Sequence, residues 1–215
     1  MISALAAADV RRLAPEIVAA GRAFWARGWV PATSGNFSAR LGDGTILVTA
    51  SGLDKADLTE DGLLSVDPDG APVPPARGRP SAETALHLGL YRRFPAAASV
   101  MHVHAPAATT LSVTAKSAGE VRLEGWEVLK ALAGVASHEH VEVVPVIDND
   151  QDVPRLAARA DERLDRAPDA HAYLIAGHGL YTWGRSVAEA RRHVEALEFL
   201  FECELRRIMI QGGAR

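Results

Sequence analysis

Cys203 is the only cysteine in 215 residues, so no disulfide can form within the chain. That excludes the stapled small folds of oxidising compartments and suits a reducing one. Positive charge is not in excess either: 23 Lys and Arg stand against 27 Asp and Glu, a formal net charge of −4. A nucleic-acid binder needs a basic surface to displace counterions from phosphates, so no such partner is expected; local basic pockets remain compatible with the total. Long apolar runs are missing as well. The uncharged stretch through Ser99–Ala115 is interrupted by His102, His104 and Pro106, and a membrane helix needs about 20 mostly apolar residues. The opening Met1–Ala6 has no basic segment and soon meets Asp9, Arg11 and Arg12, which makes a poor secretory signal. Internal repeats and blocks of like charge are absent. What is present is 48% hydrophobic and 23% charged, an ordinary balance for a packed chain and too apolar for a disordered one. The expectation is one cytoplasmic domain over residues 1–215, with no membrane or nucleic-acid partner.

Periodicity supplies the elements. Val10, Leu13, Ile17, Phe24 and Trp25 recur at helical spacing between Asp9 and Gly28. Pro15 interrupts that pattern, so either the main helix begins near Ala14 or a short helix precedes a longer one. Phe37–Leu41 and Thr45–Thr49 flank Gly42-Asp43-Gly44 as a hairpin. Asp67–Pro80 reads as an exposed Pro- and Gly-rich loop ending at Ser81, an N-cap for a helix carrying Leu86, Leu90 and Tyr91. Ser99–His104 is strand-like, a short helix follows Pro106, and another covers roughly Gly125–Ala133. Val141–Val146 reads as an edge or terminal strand, because Pro145 lacks a ladder donor. Asp152 and Pro154 open a helix to about Asp165. Ala172–Ala176 and Leu180–Trp183 bracket Gly177-His178-Gly179, and Ser186 with Glu189 forms a capping box before a long helix to about Met209. Strands and helices mix without strict βαβ alternation, which predicts a layered α/β/α domain with a mixed sheet.

The sharpest chemical signal is His102-Val103-His104. On a strand, residues i and i+2 project from one face, so both imidazoles enter the same pocket. Neutral imidazole is a good ligand for zinc and similar ions, and His178, framed by glycines, can complete a three-histidine set. Two half-buried histidines bonded to backbone would explain an isolated pair; the apolar flanks and His178 favour a metal. His138-Glu139-His140 repeats the spacing in polar surroundings and reads as surface or loop. His87, His171 and His193 lack clustered partners, and packing or solvation accounts for them.

Ser34-Gly35-Asn36, Ser51-Gly52 and Ser81 offer hydroxyls and glycine-freed N–H groups suited to phosphate oxygens, with Lys55 and Arg79 as added charge. Plain turn chemistry explains each one alone. Among the carboxylates, Glu83 stands where it favours a helix dipole. Glu127 follows Trp126, which could desolvate it and raise its pKa, or it is a solvated residue paired with Lys130. Spacing does not choose Glu127 over Glu120 or Glu124.

In order along the chain, Thr33-Ser34-Gly35-Asn36, Thr49-Ala50-Ser51-Gly52, Pro80-Ser81-Ala82-Glu83, His102-Val103-His104 and His178 resemble the class II aldolase/adducin family. The resemblance covers nearly the whole chain, and the joint order is more specific than any part. It implies a three-layer α/β/α fold with a mixed, mostly antiparallel sheet. It also implies one zinc or other divalent metal per subunit on His102, His104 and His178, and a phosphorylated keto-sugar substrate. Ser34, Gly35, Asn36, Ser51, Gly52 and Ser81 would hold the phosphate. Members are commonly cyclic homotetramers with sites near subunit boundaries.

Within the family the chain is most similar to its dehydratases, through Pro31–Ser38, Arg79–Thr84 and Gly125-Trp126-Glu127-Val128-Leu129-Lys130. By that match Glu127 is the acid/base residue. The family's aldolases give this work to the glutamate of the P-S-x-E segment, here Glu83, so an aldolase or epimerase remains the alternative. Eukaryotic dehydratases carry a cysteine near the substrate in that segment; Ala82-Glu83 stands here, and that contact does not transfer. A non-enzymatic scaffold like the adducin head would lack the metal site, which the intact histidine set argues against.

Overall fold

The computed structural model describes residues 4–76 and 78–212. Its strands are β1 (Asn36–Arg40), β2 (Ile46–Thr49), β3 (Leu63–Val66), β4 (Ser99–Val103), β5 (Glu120–Glu124), β6 (Val141–Ile147), β7 (Ala172–Ile175) and β8 (Gly179–Gly184). The helices are α1 (Ala4–Ala26), α2 (Thr84–Arg93), α3 (Pro106–Thr114), α4 (Val153–Asp165) and α5 (Val187–Gly212), with short 3-10 turns at Glu60–Gly62 and Glu127–Ala131. Among the described residues the strands form one sheet in the order β3-β2-β1-β4-β8-β7-β6-β5. Every neighbouring pair is antiparallel except β6 and β7. None of the described helices is long and apolar enough to cross a membrane.

Side chains alternate across this sheet and bury two cores, giving the three expected layers. On one face Met101 and Val103 of β4 pack with Phe24, Leu111, Leu197 and Phe201 of α1, α3 and α5. On the other, Val100 packs with Tyr173, Tyr181, and Leu86, Leu90 and Leu156 of α2 and α4. A period of two along β4 therefore sends His102 to the α2/α4 face with Val100. Strand directions matter more for function. β4, β6 and β7 run the same way, so their carboxyl ends share one end of the sheet; β5 and β8 finish at the other.

Local expectations needed correction in five places. α1 runs unbroken through Pro15; that residue is exposed, so water can solvate the carbonyl it leaves unpaired. α2 begins at Thr84 rather than at Ser81, whose Oγ instead accepts the Glu83 N–H at 3.2 Å in a preceding turn. The segment after Gly125 is a 3-10 turn, Glu127–Ala131, not a full helix. β6 is interior rather than at an edge. The Val146 N–H points to Gly119 beside β5 at 2.8 Å, so the missing donor of Pro145 falls on the β7 side, just outside that pair's two bridged residues. At α5 the Glu189 N–H donates to Ser186 Oγ at 3.0 Å, but the carboxylate accepts from the Arg185 N–H at 2.7 Å, one residue earlier than a capping box places it. Elsewhere the expectations hold: β1 and β2 pair as a hairpin, and Asp152 caps α4 through the Arg155 N–H.

Candidate metal centre

Two loops and a strand end converge at the carboxyl ends of β4 and β7. His102 and His104 leave the end of β4, His178 occupies the β7–β8 turn, and Glu83 precedes α2. Their ligand atoms all lie within 4.8 Å of one another. His102 is fully buried, and its ring stacks on Tyr181 with centroids 4.0 Å apart. Its Nδ1–H donates to the Leu180 carbonyl at 2.9 Å, which leaves the Nε2 lone pair facing His104 Nε2 at 2.8 Å and Glu83 Oε2 at 3.5 Å. A backbone carbonyl fixing the outer nitrogen is how metal-ligating histidines are oriented. His178 Nε2 is 2.9 Å from Glu83 Oε1, and Asn36 Nδ2 donates to Glu83 Oε2 at 2.6 Å.

The charge states suit ligation. Burial pushes His102 well below the ordinary histidine range and His104 down to about 4, so both are neutral near pH 7 with lone pairs free. Burial acts to raise Glu83, but the bonds from His178 and Asn36 and the nearby His102 ring outweigh it and hold the carboxyl well below the usual range. Three imidazoles and one carboxylate on rigid elements are a fitting donor set for a borderline-soft divalent metal.

The phosphate candidates gather beside this cluster. Ala32 and Thr33 adopt positive φ of 50° and 65°, and Gly35 has φ 75°; such clustered strain is characteristic of ligand-binding loops. Lys55 is buried, and its Nζ donates to the Thr33 and Leu53 carbonyls, each at 2.9 Å, tying the Ser34 loop to the Ser51-Gly52 loop. Burial lowers its pKa to about 8. The Ser51 N–H reaches the Arg79 carbonyl at 2.9 Å, and Asn36 Nδ2 lies 3.4 Å from Ser81 Oγ. Among the described residues, Ser34 Oγ and Asn36 Oδ1 are buried with no hydrogen-bond partner, so the loops hold unmet polar capacity where a ligand would dock. Arg79 itself is exposed.

Gly35 is the tightest point of this arrangement. A Cβ there would come within 2.6 Å of Val30 Cγ1 and 2.8 Å of the His102 carbonyl oxygen. Gly35→Ala is therefore expected to destabilise the fold by at least roughly 1–3 kcal/mol, from left-handed strain and overpacking. Denaturant unfolding checks this, and an unshifted midpoint would refute it.

Glu127 is not in the cluster. It follows β5 and so stands at the opposite end of the sheet from His102, His104 and His178, beyond the length of β7, roughly 13 Å for four residues. Nor is it desolvated. Trp126 packs partly into the α1/α3/α5 core, whereas the Glu127 side chain is 67% exposed, paired with Lys130 and 3.7 Å from His138 Nδ1. The Lys130 bond lowers its pKa rather than raising it. His138 is also exposed, and His87 is a packing residue, with Nδ1 2.7 Å from Ser38 Oγ. His140 and His171, however, meet on Glu142, and His193 neighbours His171. The contacts of His171 with Glu142 and Ala133 join residues 29 and 38 apart in sequence, and no local spacing reveals them.

The chain matches the family described as Class II Aldolase and Adducin N-terminal domain over residues 15–205. It is similar to the methylthioribulose-1-phosphate dehydratase of Methylococcus capsulatus, at 55% identity over 193 residues, covering 90% of this chain and 93% of that one. The protein of the same name in Sorangium cellulosum is 46% identical over 206 residues, covering 96% and 95%. Among solved structures, it is similar to L-fuculose-1-phosphate aldolase from Thermus thermophilus, with a TM-score of 0.75 at 28% identity over 94% of this chain and 98% of that one.

Proposed function

The chain belongs to the class II aldolase and adducin family, and from that premise we propose that it is a zinc-dependent methylthioribulose-1-phosphate dehydratase of methionine salvage, one domain over its whole length. The observation that carries this reading is the Glu83, His102, His104 and His178 cluster in a chain 55% identical to a protein of that name. His102, His104 and His178 would hold the metal, with Glu83 beside it. When bound, zinc supplies Lewis-acid polarisation of the substrate's C2 carbonyl and C3 hydroxyl oxygens. Ser34, Gly35, Asn36, Ser51, Gly52 and Ser81 hold the phosphate and so fix the sugar chain's register against the cluster. The C3 proton is removed, the C4 hydroxyl leaves as water, and the resulting enol relaxes to 2,3-diketo-5-methylthiopentyl-1-phosphate.

Glu127 is the acid/base residue in this proposal, moving the C3 proton or protonating the departing C4 hydroxyl. Its own cluster is at the other end of the sheet, so Glu127 works in the site of a neighbouring copy and the enzyme is a homo-oligomer, a tetramer by family likeness. A low pKa in the isolated chain keeps it ionised as a base, and closure against a neighbour would supply the desolvation that solvent exposure now denies it. A phosphate ester carries charge that a bilayer excludes, and the cytoplasm is the compartment we assign.

Mass spectrometry of the product from zinc-loaded protein and methylthioribulose 1-phosphate tests the function. Loss of one water, abolished by a chelator, is the expected result. Glu83, at 2.9 Å from His178 and hydrogen-bonded to Asn36, favours a second reading, a sugar-phosphate aldolase or epimerase with Glu83 as the acid/base group. Carbon–carbon cleavage or an epimer, with Glu83→Gln more damaging than Glu127→Gln, would select it.

A further inference from the structure

The end of the sheet that carries Glu127 holds a second convergent group. Glu142 on β6 is 1% exposed, and its Oε2 lies 2.9 Å from both His140 Nε2 and His171 Nδ1. Its Oε1 accepts the His171 backbone N–H at 2.9 Å. The remaining His171 nitrogen, Nε2, is 2.8 Å from the Ala133 carbonyl oxygen. Both ring nitrogens thus face groups that only accept. A neutral imidazole has one N–H and would turn a lone pair on one of them; an imidazolium donates to both. The same arrangement argues against a metal ion here, because a charged ring has no lone pair to give.

What His171 grips is the chain just beyond the Glu127 turn. Ala133 is held twice: its carbonyl by His171, and its N–H by His193 Nε2 at 3.1 Å, with His193 Nδ1–H anchored on the Trp183 carbonyl at 2.7 Å. Arg192 Nε donates to the Ala131 carbonyl at 2.9 Å. Three side chains therefore fasten residues 131–133 to the ends of β7 and β8 and to α5. The Glu127 carboxylate itself is exposed, so the direction of its side chain depends on how well the backbone of this turn is held.

We propose that His171, kept as an imidazolium between Glu142 and the Ala133 carbonyl, is a positioning residue for the turn that presents Glu127. This rests on the reading of Glu127 as the acid/base group. The groups facing His171 are His140 just before β6, Glu142 from β6, and Glu189 and His193 from α5. Burial works against the charged ring, but the Glu142 bond and charge outweigh it and raise His171 above the ordinary histidine value. Burial lowers His193 to about 4, so it stays a neutral acceptor throughout. A raised folded-state pKa means the clamp is complete below the ordinary value and is lost as pH rises through the raised one.

The test measures kcat, KM and metal content against pH for wild type, His171→Gln and Glu142→Gln. The variants should lose about 10- to 100-fold in kcat, the scale of a small misplacement, with KM and metal content unchanged. The wild type's alkaline loss of kcat from His171 should be absent in His171→Gln. In the wild type, nitrogen-15 NMR should show His171 protonated on both nitrogens at neutral pH, and amide exchange at residues 132–134 should accelerate as that signal titrates. Folded variants with wild-type kcat and pH profile would overturn the proposal. So would a second metal ion per chain that disappears in His171→Gln, or a singly protonated His171 at neutral pH, a readout that survives even if the variants do not fold. Normal turnover in Glu127→Gln would instead remove the Glu127 reading, while the NMR and exchange results still decide the clamp.

Discussion

Glu127→Gln is expected to lower turnover by roughly 10²–10⁴-fold, the contribution of a general acid or base, with the metal still bound. Gln keeps the size and the hydrogen-bonding reach of Glu but cannot carry the proton. Because Glu127 is 67% exposed and touches Lys130 and His138 alone among the ionisable groups described around it, the substitution should leave stability nearly unchanged. The placement of Glu127 at the far end of its own sheet sharpens the experiment. Glu127→Gln chains mixed with chains lacking a metal ligand should regain activity, since some hybrid sites pair an intact cluster with an intact Glu127. Two dead variants that stay dead together, despite forming hybrids, would refute catalysis across a subunit boundary. Wild-type turnover in Glu127→Gln alone would remove the residue from the mechanism.

His104→Ala is the companion with a comparably large effect. It should weaken metal binding by more than about 100-fold, the upper end of what losing even an outer-shell partner costs, and abolish turnover at stoichiometric metal. His104 is preferable to His102 for this purpose. It lies just past the end of β4 and is partly exposed, whereas His102 is fully buried against Tyr181 and its removal would also leave a cavity. Metal content by elemental analysis and thermal unfolding separate loss of the ion from loss of the fold. A His104→Ala protein that retains its metal and its rate would show that the cluster is not the working centre.

The regular elements were legible because their causes are local. Strand alternation read over Ser99–His104 placed His102 and His104 on one side, and the glycine-framed turn offered His178 to them. Asp152 capping α4 is a three-residue event, and the β1–β2 hairpin is set by the residues between its strands. The errors came where a distant partner decides. Pro145 reads as an edge residue until β5 is seen pairing with one side of β6 and the pairing with β7 starting only at Val146 on the other. Pro15 reads as a break until its exposure shows that water can reach the carbonyl left without its bond.

The candidate site divides in the same way. By itself the sequence determined the kind of chemistry: three histidines in a pattern suited to a metal, loops suited to an anion, and a family order that only a joint motif could carry. The tertiary structure alone decided which carboxylate accompanies the histidines in the same chain. Asn36, His102, His178 and Glu83 meet because β1 and α2 begin, β4 finishes and the β7–β8 turn falls at one end of the sheet. It alone showed that Glu127 stands at the opposite end of the sheet from the histidine cluster of its own chain, and that Glu142, His171 and His193 fasten the turn behind it. The physical reason is one of range. Hydrophobic period, turn preference and capping act within a few residues, whereas strand direction and sheet order are fixed by long-range pairing, and they determine which distant side chains share a site.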